Sequence, residues 1–151
     1  YAFSDFLLER EAAGKARFAD DEEIFPGLRT LYLGGHSICS QAVIVETAEG
    51  RVIITSDDVY HYRLLEKNVL PRIHTSPSRY EAAVEKLVKL AKERGGILLP
   101  VHDPEIWKAW EEHGDGWLGA LRVLSDAAIR GYESSRSGAA RAPRSEQAPG
   151  P

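Results

Sequence analysis

Between residues 28 and 55 the apolar residues come in short, unbroken or β-branched runs rather than at helical spacing: Leu28 to Leu33, Ala42 to Thr47 and Arg51 to Thr55. Runs of this length, bounded by turn-forming residues, read as strands. Pro26-Gly27 marks a turn before the first, and Ala48-Glu49-Gly50 joins the other two as a hairpin. The period then changes. From Arg79 to Arg94, Tyr80, Val84, Leu87, Val88 and Ala91 recur at helical spacing with charges between them, which predicts an amphipathic helix. Ser78 and Glu81 have capping-box spacing, and Ser76-Pro77 offers an alternative, slightly earlier start. Gly95-Gly96 ends the helix. Ile97 to Val101 is apolar throughout, as expected of a short strand covered on both faces. Asp103-Pro104 marks the cap of a helix over Glu105 to Glu112, and a further helix follows over Trp117 to Tyr132. At the other end Phe3, Phe6 and Leu7 share one side of a short helix within Phe3 to Arg17 that stops near Gly14. The fold class is therefore α/β, of the α+β type, with a mixed sheet. Residues 1–133 form the folded unit, and residues 134–151, rich in Ser, Gly, Ala, Arg and Pro without apolar period, form a disordered tail.

Composition narrows the function classes. With 151 residues and 43% apolar content the chain can bury a core of ordinary size. A formal net charge of -4 argues against a general nucleic-acid binder, which needs a basic face. No apolar stretch approaches the roughly 20 residues that cross a bilayer, and the start lacks the pattern of a secretory signal, so a cytoplasmic location is expected. Cys39 stands alone, which excludes an internal disulfide and a cysteine-based zinc cluster.

Three of the strands run into residues of metal-ligand type: Gly34-Gly35-His36 after the first, Thr55-Ser56-Asp57 after the third, and His102 after Ile97 to Val101. A hairpin reverses the chain and a helical crossover restores its direction. The first, third and last strands therefore point the same way, and His36, Asp57 and His102 leave the sheet at one edge. Ligands of open α/β sheets lie beyond such carboxyl ends. Two imidazoles and a carboxylate meeting there suit Zn²⁺, with Fe or Mn as alternatives.

The neighbouring candidates have plainer explanations. Asp58 is expected to cap a helix over Val59 to Glu66, and His61 to lie on that helix's surface. His74 and His113 fall in loop-like surroundings. Cys39 reads as a small buried residue, and Trp107, Trp110 and Trp117 as packing.

Gly35-His36-Ser37-Ile38-Cys39-Ser40-Gln41, Thr55-Ser56-Asp57-Asp58-Val59-Tyr60 and Val101-His102-Asp103 together resemble the C-terminal half of a metallo-β-lactamase-fold hydrolase, of the N-acyl homoserine lactonase-like branch. The likeness runs from about Asp20 to Asp103 with order and spacing kept. It implies one βα half of an αββα sandwich, with helices on the outer face of a mixed sheet. It also implies two divalent ions. His36 would complete the first site, Asp57 would bridge both ions as a ligand and catalytic carboxylate, and His102 would bind the second. Tyr60 would hydrogen-bond the substrate carbonyl or the developing oxyanion. The reaction implied is cleavage of a lactone, ester or amide by a metal-bridging hydroxide.

Ile38, Cys39 and Val101 depart from that family's pattern, and its His-x-His-x-Asp-His motif, which supplies the other four ligands, is absent from the chain. There is no methionine and the first residue is Tyr1. The expectation is a C-terminal subunit or fragment whose metals are shared with a partner: an N-terminal half chain carrying His-x-His-x-Asp-His. The alternative is a non-catalytic interaction module that kept the fold and lost the metal. A nucleic-acid-processing relative is disfavoured by the acidic charge.

Overall fold

The computed structural model describes residues 2–17 and 19–139. After α1 (Ala2–Ala12), five strands build a single sheet in chain order: β1 (Glu23–Phe25), β2 (Leu28–Tyr32), β3 (Gln41–Thr47), β4 (Gly50–Ile54) and β5 (Ile97–Leu99). The first four are joined antiparallel, while β5 lies parallel to β4 because α2 (Tyr62–Glu66) and α3 (Pro77–Arg94) carry the chain back between them. In register, Ile44 faces Ile53 and Ile53 lies beside Leu98. Strand alternation then puts Ala42, Ile44, Ile53 and Leu98 on one face, all buried.

That face is covered by the apolar stripe of α3, in which Tyr80, Ala83, Val84, Leu87, Val88 and Ala91 are all buried. The approach is close: a Cβ on Gly96 would stand 2.7 Å from Ile53 Cδ1. Leu87 has no exposed surface. Leu87→Ala is therefore expected to destabilise the fold by about 2–5 kcal/mol, measured by chemical denaturation of the purified protein. The other face is covered unevenly. Val43, Val45 and Ile54 alternate onto it, are only partly buried, and lie outside the main core cluster, whereas Val52 and Ile97, on the same face toward β5, are buried.

α4 (Glu105–His113) and α5 (Trp117–Ala139) close the fold beyond β5. Ser125 on α5 accepts a hydrogen bond from the Leu98 N–H at 3.0 Å, satisfying a donor on an edge strand. The mixed sheet with its helices is the α+β arrangement that the sequence predicts. No helix among the described residues is long and apolar enough to cross a membrane.

Several boundaries differ from the sequence reading, each for a local reason. β1 falls in a stretch to which the sequence assigns no element; the Pro26-Gly27 turn, with Gly27 at φ +81°, folds it onto β2. α3 begins at the earlier of its two candidate caps, where Ser76 Oγ accepts from the Arg79 N–H. α5 continues through Ala139, so residues 134–139 are helical rather than part of a disordered tail. Their hold is polar: Arg136 bonds the Tyr132 hydroxyl at 2.8 Å and reaches Glu85 on α3, and Lys92 pairs with Glu133. Such contacts leave no apolar period to read. The rest of the expected tail, residues 140–151, lies outside the described residues.

Candidate metal centre

The sheet edge at the carboxyl ends of β2, β4 and β5 carries the three ligand-type residues, and they meet. His36 Nε2 lies 3.5 Å from Asp57 Oδ2, and His102 Nε2 lies 2.8 Å from Asp57 Oδ1. One carboxylate thus stands between two imidazoles, each presenting the same ring nitrogen. Tyr60 completes the cluster. Its hydroxyl is 3.0 Å from His36 Nδ1, its ring stacks on His102 at 5.2 Å and 22°, and it meets the His36 ring edge-on at 5.7 Å.

Local sequence explains how each side chain is aimed. After β2, Gly34 takes φ +70°, and a Cβ there would stand 2.5 Å from the Tyr32 hydroxyl. The left-handed backbone there favours glycine. The Leu33 and Gly34 N–H groups both donate to Ser40 O, closing the loop that displays His36. After β4, Thr55 is fully buried; its N–H donates to Leu99 O at 3.1 Å and its hydroxyl donates to Val59 O at 3.0 Å. Ser56 then adopts φ +53°, an uncommon conformation for a residue with a side chain. Ser56 opens a 3-10 turn over Ser56–Asp58 that carries both carboxylates, which meet different parts of His36. Asp57 faces the imidazoles, whereas Asp58 is buried beneath the His36 loop, where its Oδ1 accepts the His36 N–H at 2.8 Å.

The helix-cap role expected for Asp58 is therefore not what the structure shows. The helix starts later, at Tyr62, and its first N–H is taken by Asp103 Oδ2 at 2.7 Å. Asp103 Oδ1 accepts the Glu105 N–H at 3.0 Å, as the sequence predicts. This one buried carboxylate thus fastens the His102 loop to the segment following Asp57. Tyr62 adds a second tie, its hydroxyl donating to Leu98 O at 2.7 Å.

Other expectations change as well. Cys39 is exposed rather than buried, beside Ser37 on the outside of the His36 loop. Trp107 and Trp110 are exposed on α4; only Trp117 packs against the core, with Trp110 edge-on to it at 5.9 Å. His74 is held by Pro71 O and takes no part in the cluster.

Electrostatics suit a hydrogen-bond donor at Tyr60. Burial, and after it the negative charges of Asp57 and Asp58, push its phenol above the ordinary tyrosine value, so it keeps its proton at neutral pH. Burial also raises Asp58, opposed by its hydrogen bonds.

The donor set fits a borderline divalent ion: two imidazole nitrogens and a carboxylate with both oxygens turned inward. With His36 Nδ1 hydrogen-bonded to Tyr60, its Nε2 is the nitrogen left facing Asp57. The three donors are turned on one another, and among the described residues no group of three or more His, Cys, Asp or Glu side chains encloses a position for an ion. A complete centre needs further ligands.

Comparison with known proteins agrees with the fold. No protein-family model matches the chain. The N-acyl homoserine lactonase AiiA of Bacillus thuringiensis subsp. kurstaki is 31% identical over 86 residues, which are 56% of this chain and 34% of that protein. The N-acyl homoserine lactonase of Bacillus thuringiensis subsp. indiana matches to the same extent. A crystal structure of a B. thuringiensis AiiA mutant with N-decanoyl-L-homoserine at the active site superposes with a TM-score of 0.55 at 31% identity, covering 60% of this chain and 36% of that one. An N-acyl homoserine lactone hydrolase with N-hexanoyl-L-homoserine at its catalytic metal centre gives a TM-score of 0.54, again at 31% identity and covering 60% and 36% of the two chains. The chain spans about a third of the length of the curated relatives it matches. Over more than half of its own length it shares the metallo-β-lactamase-type fold of the N-acyl homoserine lactonases and is similar to them in sequence.

Proposed function

We propose that this chain supplies part of the active site of a binuclear metal-dependent hydrolase that opens a lactone, with an ester or amide as the alternative substrate. The observation that carries this reading is the meeting of His36, Asp57, His102 and Tyr60 at one sheet edge, in a chain similar to lactonases. Zn²⁺ suits these donors best, with Fe or Mn as alternatives. His36 and His102 would each hold an ion through Nε2, and Asp57 would reach both. When bound, the metal pair supplies an activated water and draws charge from the scissile carbonyl. Tyr60 lies within reach of His36 Nδ1, so with His36 protonated on Nδ1 the phenol oxygen would accept that N–H as a hydrogen bond while the phenol's own O–H is directed at the substrate. There it would stabilise charge growing on the carbonyl oxygen.

The remaining ligands would come from a segment carrying His-x-His-x-Asp-His, seated against the sheet face that bears Val43, Val45 and Ile54. An acyl homoserine lactone is the leading substrate, by similarity to the lactonases. Metal analysis and lactone hydrolysis by the purified assembly test the proposal. About two ions per complex with turnover support it; a folded assembly that takes up no metal favours the interaction module instead. Tyr60→Phe is expected to lower kcat by about a hundredfold, the scale of losing one oxyanion donor, with metal content unchanged. Loss of metal with unchanged activity per bound ion would assign Tyr60 a structural role.

A further inference from the structure

We infer that Asp58 is a positioning residue of this site, setting the His36 imidazole by capturing that residue's backbone N–H. The inference rests on the metal-centre reading above and adds a residue to it. Asp58 Oδ1 stands 2.8 Å from the His36 nitrogen, with the side chain wholly buried. The loop is pressed onto it: a Cβ on Gly35 would lie 2.2 Å from that same oxygen and 2.7 Å from the Ala83 Cβ. From the other side, Gly35 O accepts the Thr75 N–H at 2.8 Å. The His36 main chain is thus fixed by Asp58 and its ring by Tyr60, leaving Nε2 directed at Asp57.

Adjacency gives the arrangement its use. Asp57 and Asp58 ride on one short turn, so any shift of that turn carries the carboxylate ligand and the imidazole ligand together and keeps their spacing. Packing alone does not account for Asp58. A buried carboxylate is costly, and its Oδ2 has no hydrogen-bond partner. An apolar side chain would fill the same space at lower cost, but could not hold the His36 N–H.

The test compares Asp58→Ala, Asp58→Asn and Val88→Ala in the assembly co-expressed with the complementary histidine-bearing segment. Val88 is a buried residue of α3, so its variant is the control for lost stability. Asp58→Ala is expected to weaken Zn²⁺ affinity by about tenfold to a hundredfold, the usual scale for a residue that orients a ligand, and to alter the visible spectrum of the Co²⁺-substituted protein. Asp58→Asn, whose side-chain oxygen still accepts from the His36 N–H, should restore most of both. Val88→Ala should lower Tm and leave them unchanged. The wild-type assembly gives a measurement that needs no variant: the His36 amide should exchange with solvent far more slowly than an unprotected loop amide. Fast exchange there, or wild-type affinity and spectrum in Asp58→Ala, overturns the positioning role. A folded wild-type assembly that takes up no metal instead overturns the metal-centre reading, and the positioning role falls with it.

Discussion

Asp57→Asn is expected to lower lactone hydrolysis by more than about a thousandfold, on the order of 4 kcal/mol of transition-state stabilisation, and to remove at least one metal ion from the assembly. The reason is geometric. Among the described residues Asp57 is the one carboxylate whose two oxygens address different imidazoles, Oδ2 toward His36 and Oδ1 toward His102. Asparagine keeps the shape, but it carries no charge and turns an amide nitrogen toward one of the imidazoles. One metal position would then lose its anionic ligand. The same change removes one of the charges that hold the Tyr60 phenol protonated, but burial, the larger cause, remains, so the phenol should stay neutral and supply no replacement anion. Metal content by elemental analysis and kcat by a pH-stat assay read the two effects separately. An Asp57→Asn assembly with full metal and near wild-type turnover would show that Asp57 pairs with the histidines only for structure.

How much of this was legible in the sequence depended on the range of the interaction. The alternation in β3 and β4 and the helical period of α3 are properties of neighbouring residues, and they placed the sheet and its covering helix within a few positions. The direction of β2, β4 and β5 followed from one hairpin and one crossover, which was enough to bring His36, Asp57 and His102 to a common edge. Asp58 was different. Beside Asp57 and ahead of a short helical pattern, it looked like a cap. Its actual partner lies 22 positions earlier, in a loop with no periodicity. Asp103 shows the same limit from the other side: its local cap of Glu105 could be read, but its bond to Tyr62, 41 positions away, could not. The one local hint of the Asp58 contact is Gly35, which leaves room for a carboxylate where any Cβ would collide.

The largest effect is expected from supplying the proposed complementary segment. The chain offers three ligand-type side chains at the site, fewer than a pair of ions requires, and these turn on one another rather than enclosing a position for an ion. Its sheet is covered on the Ala42, Ile44, Ile53 and Leu98 face, whereas Val43, Val45 and Ile54 sit partly exposed on the other. On the proposed reading one object would answer both features: a second sheet-bearing segment that lies on the partly exposed part of that face and carries a His-x-His-x-Asp-His motif to this edge. The seam would behave as a permanent interface, larger and more apolar than the roughly 1,600 Å² of a transient complex. Expressed alone, the 151 residues should be poorly soluble, metal-poor and inactive. Co-expression with the complementary segment should restore solubility, about two ions per complex and hydrolysis together. The coupling is the diagnostic part, because a chaperone-like partner would restore solubility without metal, and a metal carrier would do the reverse. Full activity from the isolated chain would refute the shared centre and require a second set of ligands within these residues.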